Sequence, residues 1–231
     1  MEQLVFELAP PEPPCVANFL PGRNDELLAV LPAFIAGQHN ATGMLLWGAL
    51  AAGKSHLLAA AVALARERGL AARYFAHPGD IDDAVAADAL IAIDRVDEAD
   101  APAAGRMFTL FNALQARHGR MIAASRVPLA ALPLREDLRT RLGWGLVYEV
   151  VGLADEDKSM ALRAYAKERG LALTGEVVDY LLRHGRRDMR SLLSTLAALD
   201  RRSLATKRAI TVPMIREWLQ QEIEWERRSN G

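Results

Sequence analysis

The sequence predicts an α/β protein in which a mostly parallel sheet lies between helices, with a small all-helical unit after it. Three observations carry that expectation. Short apolar runs alternate with longer helical patterns up to about residue 152, a glycine-rich loop separates the first of these runs from a helix, and helical patterns follow one another without a strand from Asp155 onward. Strand-helix alternation favours parallel strands because a crossover helix returns the chain to the same end of the sheet and covers its faces.

The elements follow in order. Residues 9 to 14, Ala-Pro-Pro-Glu-Pro-Pro, hold four prolines without the N–H groups that a helix or central strand needs, so they read as a stiff linker between Gln3–Leu8 and a folded body starting near Asn18. Strands are expected at Met44–Trp47, Ala72–Ala76, Ala89–Ile93, Met121–Ala124 and Leu146–Val151. Between them, Ser55–Arg68 and Met107–Arg117 carry helical spacing, with Gly69 as a terminator of the first. Helices at Asp155–Arg169, Thr174–Arg183, Asp188–Arg201 and Val212–Gln221 form a helical lid. The expected division is therefore 1–17 for an extended segment and linker, 18–152 for the α/β domain and 153–231 for the lid. Pairs such as Arg201-Arg202 and Arg227-Arg228 read as solvated helix faces, and no internal repeat is visible.

Composition narrows the class. With 231 residues, 51% hydrophobic and 25% charged, the chain has the make-up of an ordinary globular protein and is long enough to bury a substantial core. A formal charge of -1 leaves no net field to draw the whole molecule onto nucleic acid, so DNA contact is expected to be indirect or weak. The lone Cys15 excludes an internal disulfide framework, and the five histidines show no paired ligand spacing for zinc. The start lacks a signal-peptide pattern and no apolar run approaches a membrane span, which predicts a cytoplasmic protein without a membrane partner.

The chemistry centres on Gly48-Ala49-Leu50-Ala51-Ala52-Gly53-Lys54-Ser55, which satisfies the P-loop pattern in full and stands between a strand and a helix. Gly48 and Gly53 allow the turn that aims the amides of the loop, including those of Ala51 and Ala52, at phosphate oxygens, and the following helix adds its positive end. Lys54 is expected on the outer phosphates and the Ser55 hydroxyl in the shell of a Mg²⁺ ion. Asp94, closing the run Ala89–Ile93, suits the metal-side carboxylate. The next position, where many P-loop ATPases carry a water-polarising acid, is Arg95; Asp97 and Glu98 are the nearby acids that could substitute. The expectation is ADP or ATP binding with little intrinsic hydrolysis. His56, after the loop, reads as part of the helix.

Further motifs carry a resemblance. Asn18-Phe19-Leu20-Pro21-Gly22-Arg23-Asn24, Gly53-Lys54-Ser55-His56-Leu57-Leu58, Phe111-Asn112-Ala113-Leu114 and Arg139-Thr140-Arg141-Leu142-Gly143-Trp144-Gly145 occur in that order. Together they resemble the AAA+ nucleotide-binding domain of the bacterial replication initiator DnaA, over residues 18 to 222. The resemblance implies Phe19, Leu20 and Asn24 near the adenine, with His56 beside the loop. It also implies Ser125 at the sensor I position, Arg190 as the sensor II of the lid, and Arg141 as an arginine finger acting in trans. Members of the family generally carry a more polar pair than Ala124-Ser125, a departure that points with Arg95 toward slow cycling.

The sequence ends soon after the lid, so the initiator's DNA-binding domain is not expected here, and its start carries Gln3-Leu4-Val5-Phe6-Glu7-Leu8. That start resembles the sliding-clamp-binding motif of the Hda-like regulatory inactivators of DnaA. Gln3 is suited to a pocket rim, and Leu4, Phe6 and Leu8 to apolar anchoring. The implied function is regulation of replication initiation by a nucleotide-bound protein that rides on the clamp and promotes ATP hydrolysis by DnaA. Two alternatives remain open at this stage: an adaptor that binds the initiator without stimulating it, and an oligomeric loader or DNA-remodelling ATPase. Self-association through the AAA+ interface is compatible with each.

Overall fold

The computed structural model describes residues 13–82, 89–206 and 208–229, and among them five strands and eight α-helices are found. The anchors expected at Gln3, Leu4, Phe6 and Leu8 lie outside the described residues. By compactness the chain divides after Gly152, with one unit running from Pro13 to Gly152 and the other from Leu153 onward.

The first unit is built on β1 (Gly43–Trp47), β2 (Ala72–Phe75), β3 (Leu90–Ile93), β4 (Arg120–Ser125) and β5 (Leu146–Glu149). All pairings are parallel, and the order across the sheet is β2-β3-β4-β1-β5. Register explains the near-continuous apolar runs, since alternate residues point to opposite faces and both faces are covered. Met44, Leu46, Ala92, Ile122 and Ala124 belong to one apolar cluster with α1 (Asp25–Ile35) and α2 (Lys54–Glu67). Leu45, Ile91, Ile93, Met121 and Ala123 belong to the other, with α3 (Ala101–Ala116) and α4 (Glu136–Gly143).

Helices α1 and α4 are absent from the sequence-based expectation. Leu27, Leu31, Phe34 and Ile35 give α1 a helical stripe, and Asp25 and Glu26 favour its positive end, but Pro32 interrupts the pattern. Only Leu138 and Leu142 are buried in the charged α4. Helix α3 starts six residues earlier than Met107, because Asp100 Oδ1 accepts from Ala103 N at 2.8 Å and Pro102 occupies the first turn.

The second unit comprises α5 (Asp155–Glu168), α6 (Gly175–His184), α7 (Met189–Thr206) and α8 (Val212–Ser229). Its own core joins Leu162, Val177, Leu181, Leu196 and Ile215. Among the described residues no helix is long and apolar enough to cross a membrane.

Candidate nucleotide-binding site

The loop leaves β1 at the point where that strand lies between β4 and β5, the position at which parallel sheets open a crevice beyond their carboxyl ends. Gly48 N donates to Ser125 O at 3.2 Å, and Val150 N donates to Trp47 O at 2.7 Å, so both neighbouring strands hold the exit. A side chain at Gly48 would collide with the Val150 carbonyl oxygen. Ala51 (φ 62°) and Gly53 (φ 103°) take left-handed conformations that turn the backbone into α2. A Cβ at Gly53 would stand 2.7 Å from Cε2 of Phe19. Ala52 is buried, while Leu50 at the tip of the loop is 84% exposed.

Lys54 is 8% exposed and folded over its own loop, where Nζ donates to Gly48 O and Ala49 O at 2.7 Å each. Burial lowers its pKa from the ordinary lysine value, against the raising influence of the Asp94 and Asp97 carboxylates. Ser55 Oγ donates to Asp94 Oδ2. The structure thus joins the hydroxyl and the carboxylate that the sequence assigned to a metal, although 39 residues separate them. Two oxygen donors side by side suit Mg²⁺, which keeps waters and takes its remaining ligands from phosphates. Groups of three or more His, Cys, Asp or Glu that could hold a metal alone are absent among the described residues.

Arg95 has left-handed backbone geometry (φ 53°), and its Nε donates to Ala76 O at 2.9 Å. The two acids that could replace the missing one are engaged. Asp97 Oδ1 accepts from Arg126 N at 3.1 Å and Oδ2 from Arg126 Nε at 2.7 Å, and Glu98 Oε1 stands 3.0 Å from Arg126 Nη2. Burial by itself would raise the Asp97 carboxyl, but the side-chain and backbone hydrogen bonds from Arg126 outweigh it and hold the pKa below the ordinary value. Asp97, Arg126 and Tyr74 are members of the site that sequence reasoning missed or left undecided. Tyr74 O–H donates to Asp94 Oδ2 at 3.1 Å, and burial together with that carboxylate pushes its phenol up to about 12.

The residues placed by resemblance fall as follows. Asn24 is 4% exposed; its Nδ2 donates to Pro21 O at 2.9 Å and Val151 O at 2.8 Å, while Oδ1 accepts from Val151 N at 2.8 Å. It therefore staples the Phe19–Asn24 segment to the chain leaving β5. Phe19 packs beside His56, with ring centroids 5.6 Å apart, and His56 Nε2 is 3.1 Å from Cys15 O. Leu20 is 36% exposed. Ser125 closes β4 with its hydroxyl donating to Val127 O at 2.8 Å and accepting from Val127 N at 3.0 Å. Arg190 is exposed in the first turn of α7, in the second unit.

Arg141 lies in α4, where its Nε donates to Asn112 Oδ1 at 2.7 Å and its guanidinium stacks 4.2 Å from the centre of the Phe108 ring. Its carbonyl oxygen faces Gly43, at the start of β1. The P-loop leaves the other end of that strand, about 13 Å further along.

Comparison with solved structures identifies the fold. The replication initiator DnaA bound to AMPPCP and single-stranded DNA matches with a TM-score of 0.67 and 22% identity, over 81% of this chain and 64% of that one. Domain III of the Thermotoga maritima replication initiation protein DnaA matches with a TM-score of 0.67 and 18% identity, over 90% of this chain and 95% of that domain. A Thermotoga maritima RuvB variant matches with a TM-score of 0.63 and 14% identity, over 90% of this chain and 72% of that one. The chain thus spans a little under two thirds of the nucleotide- and DNA-bound initiator chain. This chain therefore has the α/β fold of those DnaA and RuvB structures, with a complete phosphate-loop sequence after its first strand. In the second unit, residues 155–219 match the family model described as Hda, lid domain. The family match thus covers part of the second unit, and the solved structures show that the chain shares its fold with DnaA and RuvB.

Proposed function

We propose that this chain is a nucleotide-bound regulator of replication initiation, which associates with the sliding clamp and stimulates ATP hydrolysis by DnaA. The observation that carries the proposal is the combination of an Hda-type lid with a DnaA-type α/β unit in one chain. Nucleotide binding is supported by a complete phosphate loop whose lysine, hydroxyl and metal-side carboxylate converge. Lys54 and the loop amides would hold the phosphates of ADP or ATP, and Ser55 and Asp94 would hold Mg²⁺. When bound, the ion would neutralise charge on the phosphates.

The regulatory reading is favoured over an independent loader or motor by the state of the acids. Arg95 is directed to a backbone carbonyl, and Asp97 and Glu98 are ion-paired to Arg126. A carboxylate held by two hydrogen bonds from an arginine is a poor acceptor for a proton from water. The chain would retain its nucleotide and act on that of a partner. In that composite site DnaA would supply the ATP, the metal and the attacking water, and Arg141 would supply transition-state charge in trans. An arginine whose backbone lies by the start of β1, when the phosphate loop leaves the other end of that strand, fits that role better than one acting on its own phosphates.

The deciding experiment is DnaA ATP turnover with and without this protein and clamp loaded on DNA. Acceleration that requires both additions supports the proposal. Binding to DnaA without acceleration supports the adaptor alternative instead, and fast turnover by the isolated chain with DNA stimulation supports the motor alternative.

A further inference from the structure

Three donors hold the carboxylate of Asp94. Arg95 N donates to Oδ1 at 2.8 Å, while the hydroxyls of Ser55 and Tyr74 both donate to Oδ2, the second at 3.1 Å. The Ser55 contact belongs to the phosphate loop and the Arg95 contact to the turn after β3. Tyr74 comes from a different element. It stands on β2 at the edge of the sheet, paired with Ala92, and Asp94 N extends the ladder by donating to Phe75 O at 2.9 Å. This register brings the phenol beside the end of β3. Tyr74 is 37% exposed, so core filling does not account for an aromatic ring here.

We propose that Tyr74 is a positioning residue for the metal-side carboxylate, whose O–H fixes Asp94 with Oδ2 turned toward Ser55 and so strengthens Mg²⁺ binding in the nucleotide complex. The inference rests on reading Ser55 and Asp94 as the metal-side groups. A carboxylate on a terminal torsion has a broad rotational well. Donors from two separate elements, α2 and β2, confine it before any ligand arrives, so less ordering entropy is lost when the metal binds. Hydrogen-bonding partners of metal-side groups are typically worth about 10- to 100-fold in metal affinity. Tyr74 reaches the Ser55 hydroxyl and the Asp94 carboxylate but neither the phosphate loop's lysine nor its amides in the contacts described, which separates its effect from phosphate binding by those groups.

The test is calorimetric titration of the full chain with ADP across a Mg²⁺ series and in excess EDTA. Parent, Tyr74→Phe and Asp94→Asn are compared, and thermal melts establish that each variant is folded. Tyr74→Phe keeps the ring and removes only the O–H. It is expected to need about tenfold more Mg²⁺ for half of the Mg²⁺-dependent gain in ADP affinity, while matching the parent in EDTA. An unchanged Mg²⁺ midpoint overturns the proposal. So does an equal loss of ADP affinity in EDTA, since that assigns Tyr74 to the nucleotide or the fold. If Asp94→Asn leaves the Mg²⁺ dependence of the parent intact, the metal-side reading of Asp94 is wrong and the Tyr74 proposal fails with it.

Discussion

Lys54 and Asp97 illustrate what the fold does with single charges near the phosphate loop. The ammonium of Lys54 is held by two loop carbonyls and is almost fully buried, and it is the main cation that the sequence offers to a phosphate. Lys54→Ala is expected to weaken adenine nucleotide binding by about 100-fold, equivalent to about 2.7 kcal/mol; calorimetry in Mg²⁺ reads this directly, and equal affinity would remove the lysine from the site. Asp97 gives a pH signature. Its folded pKa is depressed, so the stability it contributes is present above the ordinary carboxyl range and is lost as pH falls through the lower folded value. Urea midpoints from pH 5 to pH 3 should fall less in Asp97→Asn than in the parent, and identical slopes would show that the Arg126 pair contributes nothing. The spacing within the loop made Gly48, Gly53, Lys54 and Ser55 legible from sequence, because phosphate geometry demands local backbone shape. The Arg126 and Tyr74 contacts were not legible. They join residues 29 and 20 positions apart, and only sheet register brings them together.

At the scale of elements, the phosphate loop is packed closely against the segment before α1. Gly53 combines a left-handed φ with close approach to the Phe19 ring. Gly53→Ala therefore meets strain and displaces Phe19, with an expected cost of about 1–3 kcal/mol in stability and a loss of nucleotide affinity. Chemical denaturation and calorimetry check the two parts; a variant as stable as the parent would mean that Phe19 yields freely. The five strands were readable because strands buried on both faces become unbroken apolar runs, and the four lid helices because their core positions repeat at helical spacing. Helix α1 was missed because Pro32 disguises a good stripe, and α4 because two buried leucines among charged residues are a weak signal. The early start of α3 was available in the order Asp100-Ala101-Pro102, a cap followed by a first-turn proline.

For the whole molecule, the proposed function calls for three contacts: nucleotide in the phosphate loop, clamp at the N-terminal segment, and DnaA at the edge carrying Arg141. Removal of residues 1–8 should abolish clamp binding, read by surface plasmon resonance, and leave nucleotide affinity unchanged; undiminished clamp binding would move that contact elsewhere. In the proposed function Arg141 acts on the nucleotide of a partner. Its planar charge can form paired bonds to phosphoryl oxygens that lysine cannot reproduce, and arginine fingers supplied in trans are worth about 10³- to 10⁵-fold in nucleotide hydrolases. The most direct measurement is single-turnover hydrolysis of DnaA-bound ATP in the presence of clamp on DNA, with the parent chain, Arg141→Ala and Arg141→Lys. Arg141→Ala is expected to bind nucleotide and clamp normally yet lose most of the stimulation, with Arg141→Lys recovering only part; full stimulation by Arg141→Ala would remove Arg141 from the composite site.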